Sequence, residues 1–181
     1  MAKSTKQKAR KEYKCNKCGA VINKGDEYYK IEAMYQSTKY RCCKCKPQRS
    51  ELTSSEYLSW LYDLQDNLTE RYDLRSESAK DELYSEIESQ KDELEDRLNN
   101  MPEQLQYAST GETLQERIDS LDSALDDLDN LEYPDEEEYR LDDDEKEDLS
   151  EEEIEEQENE KFQDALDDYE SELESIISSI E

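Results

Sequence analysis

The chain has no histidine, three glycines, three prolines, one phenylalanine and one tryptophan among its 181 residues. Each shortage excludes something. Without histidine there is no Ser/His or Cys/His nucleophile pair, and the commonest general base is missing. An enzyme is therefore not expected. So few glycines and prolines leave little material for the turns of a strand-rich fold or for glycine loops that cradle nucleotides. No apolar run approaches the roughly 20 residues that a bilayer-spanning helix needs, so no membrane partner is expected. The basic stretch from Met1 to Lys14 has no apolar segment behind it and does not read as a secretory signal. Apolar residues make up 33% of the chain and charged residues 41%. That balance predicts helices sharing narrow apolar seams rather than one large core.

What is present is divided by position. Residues 1–50 hold 14 Lys/Arg against 4 Asp/Glu, whereas residues 51–181 hold 9 against 48. All five cysteines lie in the basic piece and the regularly spaced leucines in the acidic piece. Five clustered cysteines, an odd number, make a poor disulfide framework. Metal-bound thiolates in a reducing setting fit them better, and the cytoplasm is expected, a host's cytoplasm for a viral chain.

Cys15-Asn16-Lys17-Cys18-Gly19 is a CxxC knuckle, and Cys42-Cys43-Lys44-Cys45 supplies a second pair after 23 intervening residues. A two-residue bite lets both thiolates of a knuckle reach one tetrahedral ion at about 2.3 Å. The ligand set read from this spacing is Cys15, Cys18, Cys42 and Cys45, holding Zn2+. Four thiolates leave no open position for water, so the metal is expected to be structural. The alternatives are redox-active or unliganded thiols, and a Cys43–Cys45 pair with Cys42 free. Binding energy on the order of 10–16 kcal/mol, typical of zinc-finger peptides, would stabilise a module too small to fold on apolar burial. Lys14, Lys17, Lys24, Arg41 and Lys44 would offset the net negative charge of the centre.

Between the knuckles, residues 28–33 and 37–41 read as two short strands of a hairpin, with Gly25-Asp26 turning into the first. The pattern made by Cys15, Cys18, Ile22, Lys24, Gly25, Cys42 and Cys45 resembles LIM-like and poly(ADP-ribose) polymerase-type zinc fingers over about 30 residues. Those fingers usually carry histidine at the third ligand, where this chain has Cys42, so their role in sensing broken DNA is not carried over. The resemblance implies a small treble-clef or ribbon finger running into a helix.

Lys3, Lys6, Lys8, Arg10, Lys11, Lys14 and Lys17 form a dense basic run with Tyr13, Tyr28, Tyr29, Tyr35 and Tyr40 nearby. Phosphate attraction plus stacking tyrosines would suit nucleic acid. Equally, the run could be a solvated arm before a finger whose tyrosines only pack its hairpin.

Helix signals follow. Thr53-Ser54-Ser55-Glu56 reads as a capping box before Leu58, Leu61, Leu64, Leu68 and Tyr72, with Tyr57 and Trp60 placed to dock on the finger. A second run holds Ala79, Leu83, Ile87, Leu94, Leu98 and Met101 and stops at Pro102. Ser109-Thr110-Gly111 reads as a turn, and Thr113-Leu114-Gln115-Glu116 as the start of a third run through Ile118, Leu121, Leu125 and Leu128. Ser150-Glu151-Glu152-Glu153 caps a last helix with Ile154, Phe162, Leu166, Tyr169, Leu173, Ile177 and Ile180. The expected fold is mainly α: a small four-cysteine zinc finger with a short β-hairpin, an antiparallel helical hairpin or coiled coil, and a C-terminal acidic helix. The boundaries drawn are a basic flexible arm at 1–12, the finger at 13–50, the helical hairpin at 51–131, an acidic linker at 132–149 and the amphipathic acidic helix at 150–181.

The function expected is a non-catalytic zinc-finger adaptor, of the kind a bacteriophage or mobile element carries. It would contact nucleic acid or protein through residues 1–50 and protein partners, or a second copy of itself, through the helices. The alternative is a DNA mimic. Residues 76–131 carry 17 acids and 4 bases, and as a hairpin would span about 40 Å. Duplex DNA of that length holds roughly 24 charges. Anti-restriction and anti-CRISPR inhibitors occupy basic grooves in this way.

Overall fold

All five strands of the described residues lie within the first fifty positions of the computed structural model, which describes residues 3–32, 37–146 and 149–181. The chain divides into two units, residues 1–68 and 69–181. The fold is mainly helical, with small antiparallel sheets confined to its N-terminal unit.

In the first unit β1 (Lys3–Lys8), β4 (Glu27–Glu32) and β5 (Lys39–Cys42) form a three-stranded antiparallel sheet in the order β1-β4-β5. Strands β2 (Tyr13–Lys14) and β3 (Val21–Ile22) form a separate two-stranded hairpin. The hairpin read between the knuckles is β4 and β5. Residues 3–8, read as a flexible arm, are instead an edge strand. Lys3 faces Glu32 and Lys8 faces Glu27 across the ladder, and the Lys6 ammonium lies 2.8 Å from the Glu27 carboxylate. Opposite charges across strands stabilise a pairing that no apolar alternation announces. Ala33, the last residue expected in the first strand of that hairpin, and residues 34–36 between the strands lie outside the described residues.

A 3₁₀ turn (Arg49–Leu52) leads to α1 (Glu56–Asp66). Its N-cap is Ser55, whose hydroxyl accepts from the Leu58 amide at 3.3 Å, while Thr53 accepts from the Ser55 amide. Tyr57, Leu61 and Leu64 are buried along one face. Helix α1 therefore belongs with the finger, not with the helical hairpin as drawn from the sequence, and the division falls after Leu68.

The short α2 (Leu68–Arg71) begins on the last residue of the first unit and precedes α3 (Ser78–Asn99) of the second, which stops just before Pro102. After the single turn α4 (Glu103–Gln106) comes α5 (Ser109–Asn130), which runs antiparallel to α3. Lys91 pairs with Asp122 in mid-hairpin, and the Lys80 ammonium donates to the Leu131 carbonyl at 2.7 Å at the end. Ala79, Leu83, Ile87 and Leu94 are buried on α3, and Ile118, Leu121, Leu125 and Leu128 on α5. Gly111 is not the turn residue expected but lies in the first turn of α5. A Cβ there would sit 2.0 Å from the Gln106 carbonyl oxygen, so the glycine permits the close return of the chain.

Of residues 132–149, read as a solvated linker, 147 and 148 lie outside the described residues; residues 132–146 hold a 3₁₀ turn (Glu136–Tyr139) and the single turn α6 (Asp143–Lys146), and are anchored on α7 (Glu151–Ser179). Tyr133 meets Tyr169 edge to face at 5.3 Å, Tyr139 packs on Phe162, and the Leu141 amide donates to Glu158 at 2.9 Å. Ser150 and Glu153 close the capping box read from the sequence. Leu166, Tyr169, Leu173 and Ile177 are buried, and the Glu181 amide reaches the Ser120 hydroxyl of α5. Among the described residues no helix is long and apolar enough to cross a membrane.

Candidate metal centre

The first knuckle is built where β2 turns back into β3. Cys15 closes the strand, its amide donating to the Ala20 carbonyl at 2.8 Å, and the Gly19 amide returns to the Cys15 carbonyl at 3.0 Å. Gly19 holds φ at +73°, a left-handed conformation that a side chain would resist. The second knuckle follows β5, with the Cys45 amide donating to the Cys42 carbonyl at 2.9 Å. Two further bonds hold the knuckles together. The Asn16 amide donates to the Tyr40 carbonyl at 2.8 Å, and the Tyr40 amide donates back to the Asn16 side-chain carbonyl at 2.6 Å.

This arrangement brings the Sγ atoms of Cys15, Cys18, Cys42 and Cys45 within 4.8 Å of one another. Four thiolates at about 2.3 Å from one tetrahedral ion stand about 3.8 Å apart, and the Cys18 and Cys42 sulfurs are separated by 3.7 Å. The four residues could hold a metal ion. Cys43 is directed elsewhere, its thiol donating to the Glu27 carbonyl at 2.8 Å. Cys43 lies past the end of β5, in the turn that joins Cys42 to Cys45, which sets its side chain apart from both.

Burial pushes the Cys15 thiol up, but amide donors from Cys18, Cys42 and Lys17 outweigh it and bring it down to about 6. The amide of Cys42 is 3.4 Å from its sulfur. Cys45 is pushed up to about 12, first by its hydrogen bond with Cys18, then by burial and by Cys42 and Cys15. Four adjacent thiolates require a cation among them, which is what a metal ion supplies.

Compared with known proteins, the chain matches no family model, no curated protein and no solved structure. The geometry of the centre and its surroundings carries the functional argument.

Three of the five tyrosines considered for stacking on bases are occupied inside the finger. Tyr13 stacks on Tyr40 at 4.4 Å and on Tyr28 at 5.1 Å, beside the buried Ala9, Cys15 and Ile22. Tyr29 is half-buried, and Tyr35 lies outside the described residues. Arg41 is the residue whose importance the sequence did not convey. It is 9% exposed, and its guanidinium donates through Nε and a terminal nitrogen to Glu51 in the 3₁₀ turn. Burial works against its charge, yet Glu51 and then the Cys15 and Cys45 thiolates raise its pKa above the ordinary arginine value. Its other terminal nitrogen is buried without a hydrogen-bond partner among the described residues.

The remaining cations are distributed unevenly. Residues 1–68 carry 14 Lys/Arg and 8 Asp/Glu. Four cations form ion pairs: Lys6 with Glu27, Lys30 with Glu32, Arg41 with Glu51 and Arg49 with Asp66. The other ten form none with a described residue, and Lys3, Lys8, Arg10, Lys11, Lys14 and Lys17 are exposed.

Proposed function

We propose that the chain is a non-catalytic adaptor whose four cysteines bind structural zinc. Its basic unit contacts nucleic acid or an acidic protein surface, and its acidic helices engage protein partners. One observation carries this reading. Four of the finger's cations are paired with acids, which leaves ten positive side chains without a described ion-pair partner on a small scaffold. Phosphates would release counterions on meeting such a surface, so affinity would depend steeply on salt. Base stacking contributes little here, because Tyr13, Tyr28 and Tyr40 stack on each other; contact would be to backbone and indifferent to sequence. A fully thiolate-bound zinc has no open position for substrate or water, in keeping with a binding role.

The test is binding of fluorescent DNA and RNA oligonucleotides to the zinc-loaded protein across a salt series. Replacing Lys8, Arg10 and Lys11 by glutamine is expected to weaken binding. The dependence of log affinity on log salt should flatten by about 0.9 for each duplex phosphate that is no longer neutralised. An unchanged slope, or no binding in low salt, would remove nucleic acid from the reading.

A second reading, a DNA mimic, rests on the other unit. Residues 69–181 hold 44 Asp/Glu against 9 Lys/Arg. Helix α7, at 29 residues, extends about 43 Å. A mimic would bind no oligonucleotide and would displace one from a basic partner.

A further inference from the structure

Beside α7 the connector that leaves α5 borders a groove of about 510 Å³. That volume is in the range of sites that enclose several side chains of a ligand. Tyr133, Tyr139 and Tyr169 line it, interleaved with Glu138, Asp164 and Asp168. Tyr133 and Tyr169 stand edge to face, and the Tyr133 hydroxyl is tied to the Arg75 carbonyl at 3.0 Å, so the aromatic wall is fixed in place.

The charge of this groove is unbalanced in a specific way. With two more at its rim, five carboxylates line it, and none forms an ion pair with a described residue. Its one cation, Lys161, is turned toward Glu145 at 3.8 Å. Of the neighbouring cations, Arg75 is engaged with Asp167 and Glu170 and Lys146 with Glu158, while Arg140 lines a separate pocket with Glu136, Glu155 and Glu158. Uncompensated carboxylates around tyrosine faces repel one another and attract an organic cation. A guanidinium suits both halves of the wall, since it stacks on aromatic rings, forms two parallel bonds to a carboxylate and is more weakly hydrated than an ammonium.

We infer that this groove receives an arginine-bearing segment of a basic protein partner. The inference rests on the adaptor reading in which the acidic helices engage proteins, and it names the chemistry of that engagement. The carboxylates supply attraction at a distance, and the partly exposed rings of Tyr133 and Tyr139, backed by the buried Tyr169, make the contact selective for arginine over lysine.

The experiment titrates the zinc-loaded full chain with oligoarginine and oligolysine peptides of equal length, and with spermine, near physiological salt. The Asp164→Asn/Asp168→Asn variant is compared with Asp126→Asn/Asp127→Asn, which removes the same charge from α5, and Tyr139→Ser removes one ring. Oligoarginine is expected to bind about tenfold more tightly than oligolysine or spermine. Asp164→Asn/Asp168→Asn and Tyr139→Ser should each lose most of that preference, while the α5 variant keeps it. Equal affinity for the three probes, equal loss from both charge variants, or no binding would each overturn the groove. Circular dichroism of each variant keeps loss of fold from being mistaken for loss of binding. Oligonucleotide binding by the finger is a separate readout, so failure of the groove and failure of the adaptor reading are distinguishable.

Discussion

At the scale of single residues, three positions have consequences that oppose simple expectation. The Tyr169 ring is 3% exposed and its hydroxyl has no hydrogen-bond partner among the described residues. A buried, unpaired hydroxyl costs about 1–3 kcal/mol, so Tyr169→Phe should raise stability by about 1 kcal/mol in denaturant unfolding; a loss would show that the hydroxyl is bonded in solution. Gly111 lies inside a helix, where alanine ordinarily gains about 1 kcal/mol. With the Gln106 carbonyl 2.0 Å from the added carbon, steric displacement outweighs that gain. Gly111→Ala is expected to destabilise by about 1–3 kcal/mol. Tyr72 donates its hydroxyl to Glu86, and burial followed by that carboxylate pushes its pKa from 10.0 up to about 12. The folded protein thus favours the protonated phenol. The stabilisation is fully present below about pH 10 and is lost as pH rises toward about 12. Alkaline unfolding followed by circular dichroism should be less steep with pH in Tyr72→Phe across that window, and at neutral pH the variant should be less stable than the parent because it lacks the bond to Glu86.

At the scale of elements, the buried Arg41–Glu51 pair joins the end of β5, where the second pair of candidate ligands begins, to the turn before α1. That turn is bound to α1 by Arg49 with Asp66, by the Gln48 side-chain amide with Asn67 at 3.1 Å, and by the Ser59 hydroxyl on the Ser50 carbonyl at 2.9 Å. Helix α1 is therefore expected to loosen when the metal leaves. Trp60, the only tryptophan, lies on this helix. Its emission should shift in step with zinc release during titration with a chelator; an emission that stays constant after the zinc has gone would disconnect the helix from the centre. Glu51→Gln strands the Arg41 charge and should cost about 3–5 kcal/mol at saturating zinc. None of this linkage was legible in the sequence, because Arg41 and Glu51 are ten residues apart and each resembles many other charged residues. The cysteine spacing was legible, since two pairs with a two-residue bite can bring four sulfurs to one point, and there the structure places them. So were the spans of α3 and α7, marked by Pro102 and by the Ser150 cap. Strand β1 was not, because its pairing depends on charges in β4 rather than on its own pattern. Nor was Gly111, whose need arises only when Gln106 comes near.

At the scale of the whole molecule, two bodies of opposite sign are joined by one chain. Residues 1–68 carry a net of +6 and residues 69–181 a net of −35, from the compositions above. Any polyanion reaching the finger also meets the field of the tethered acidic unit, whatever the arrangement of the two. The Debye length is about 10 Å at 0.1 M salt and about 30 Å at 0.01 M. Repulsion between the acidic unit and a polyanion bound to the finger would act in dilute salt and be largely screened at physiological strength. Two salt effects then oppose each other: counterion release weakens nucleic-acid binding as salt rises, and screening of the acidic unit strengthens it. Removing negative charge from exposed positions on α5, such as Asp119, Asp126, Asp127 and Asp129 together as asparagines, should separate them. Oligonucleotide affinity is expected to rise several-fold in dilute salt and to change little at physiological salt, so that the variant has the steeper salt dependence. Matching salt slopes for the variant and the parent chain would mean that the acidic unit exerts no field on the finger's ligand, and that its charge acts only where a partner touches it.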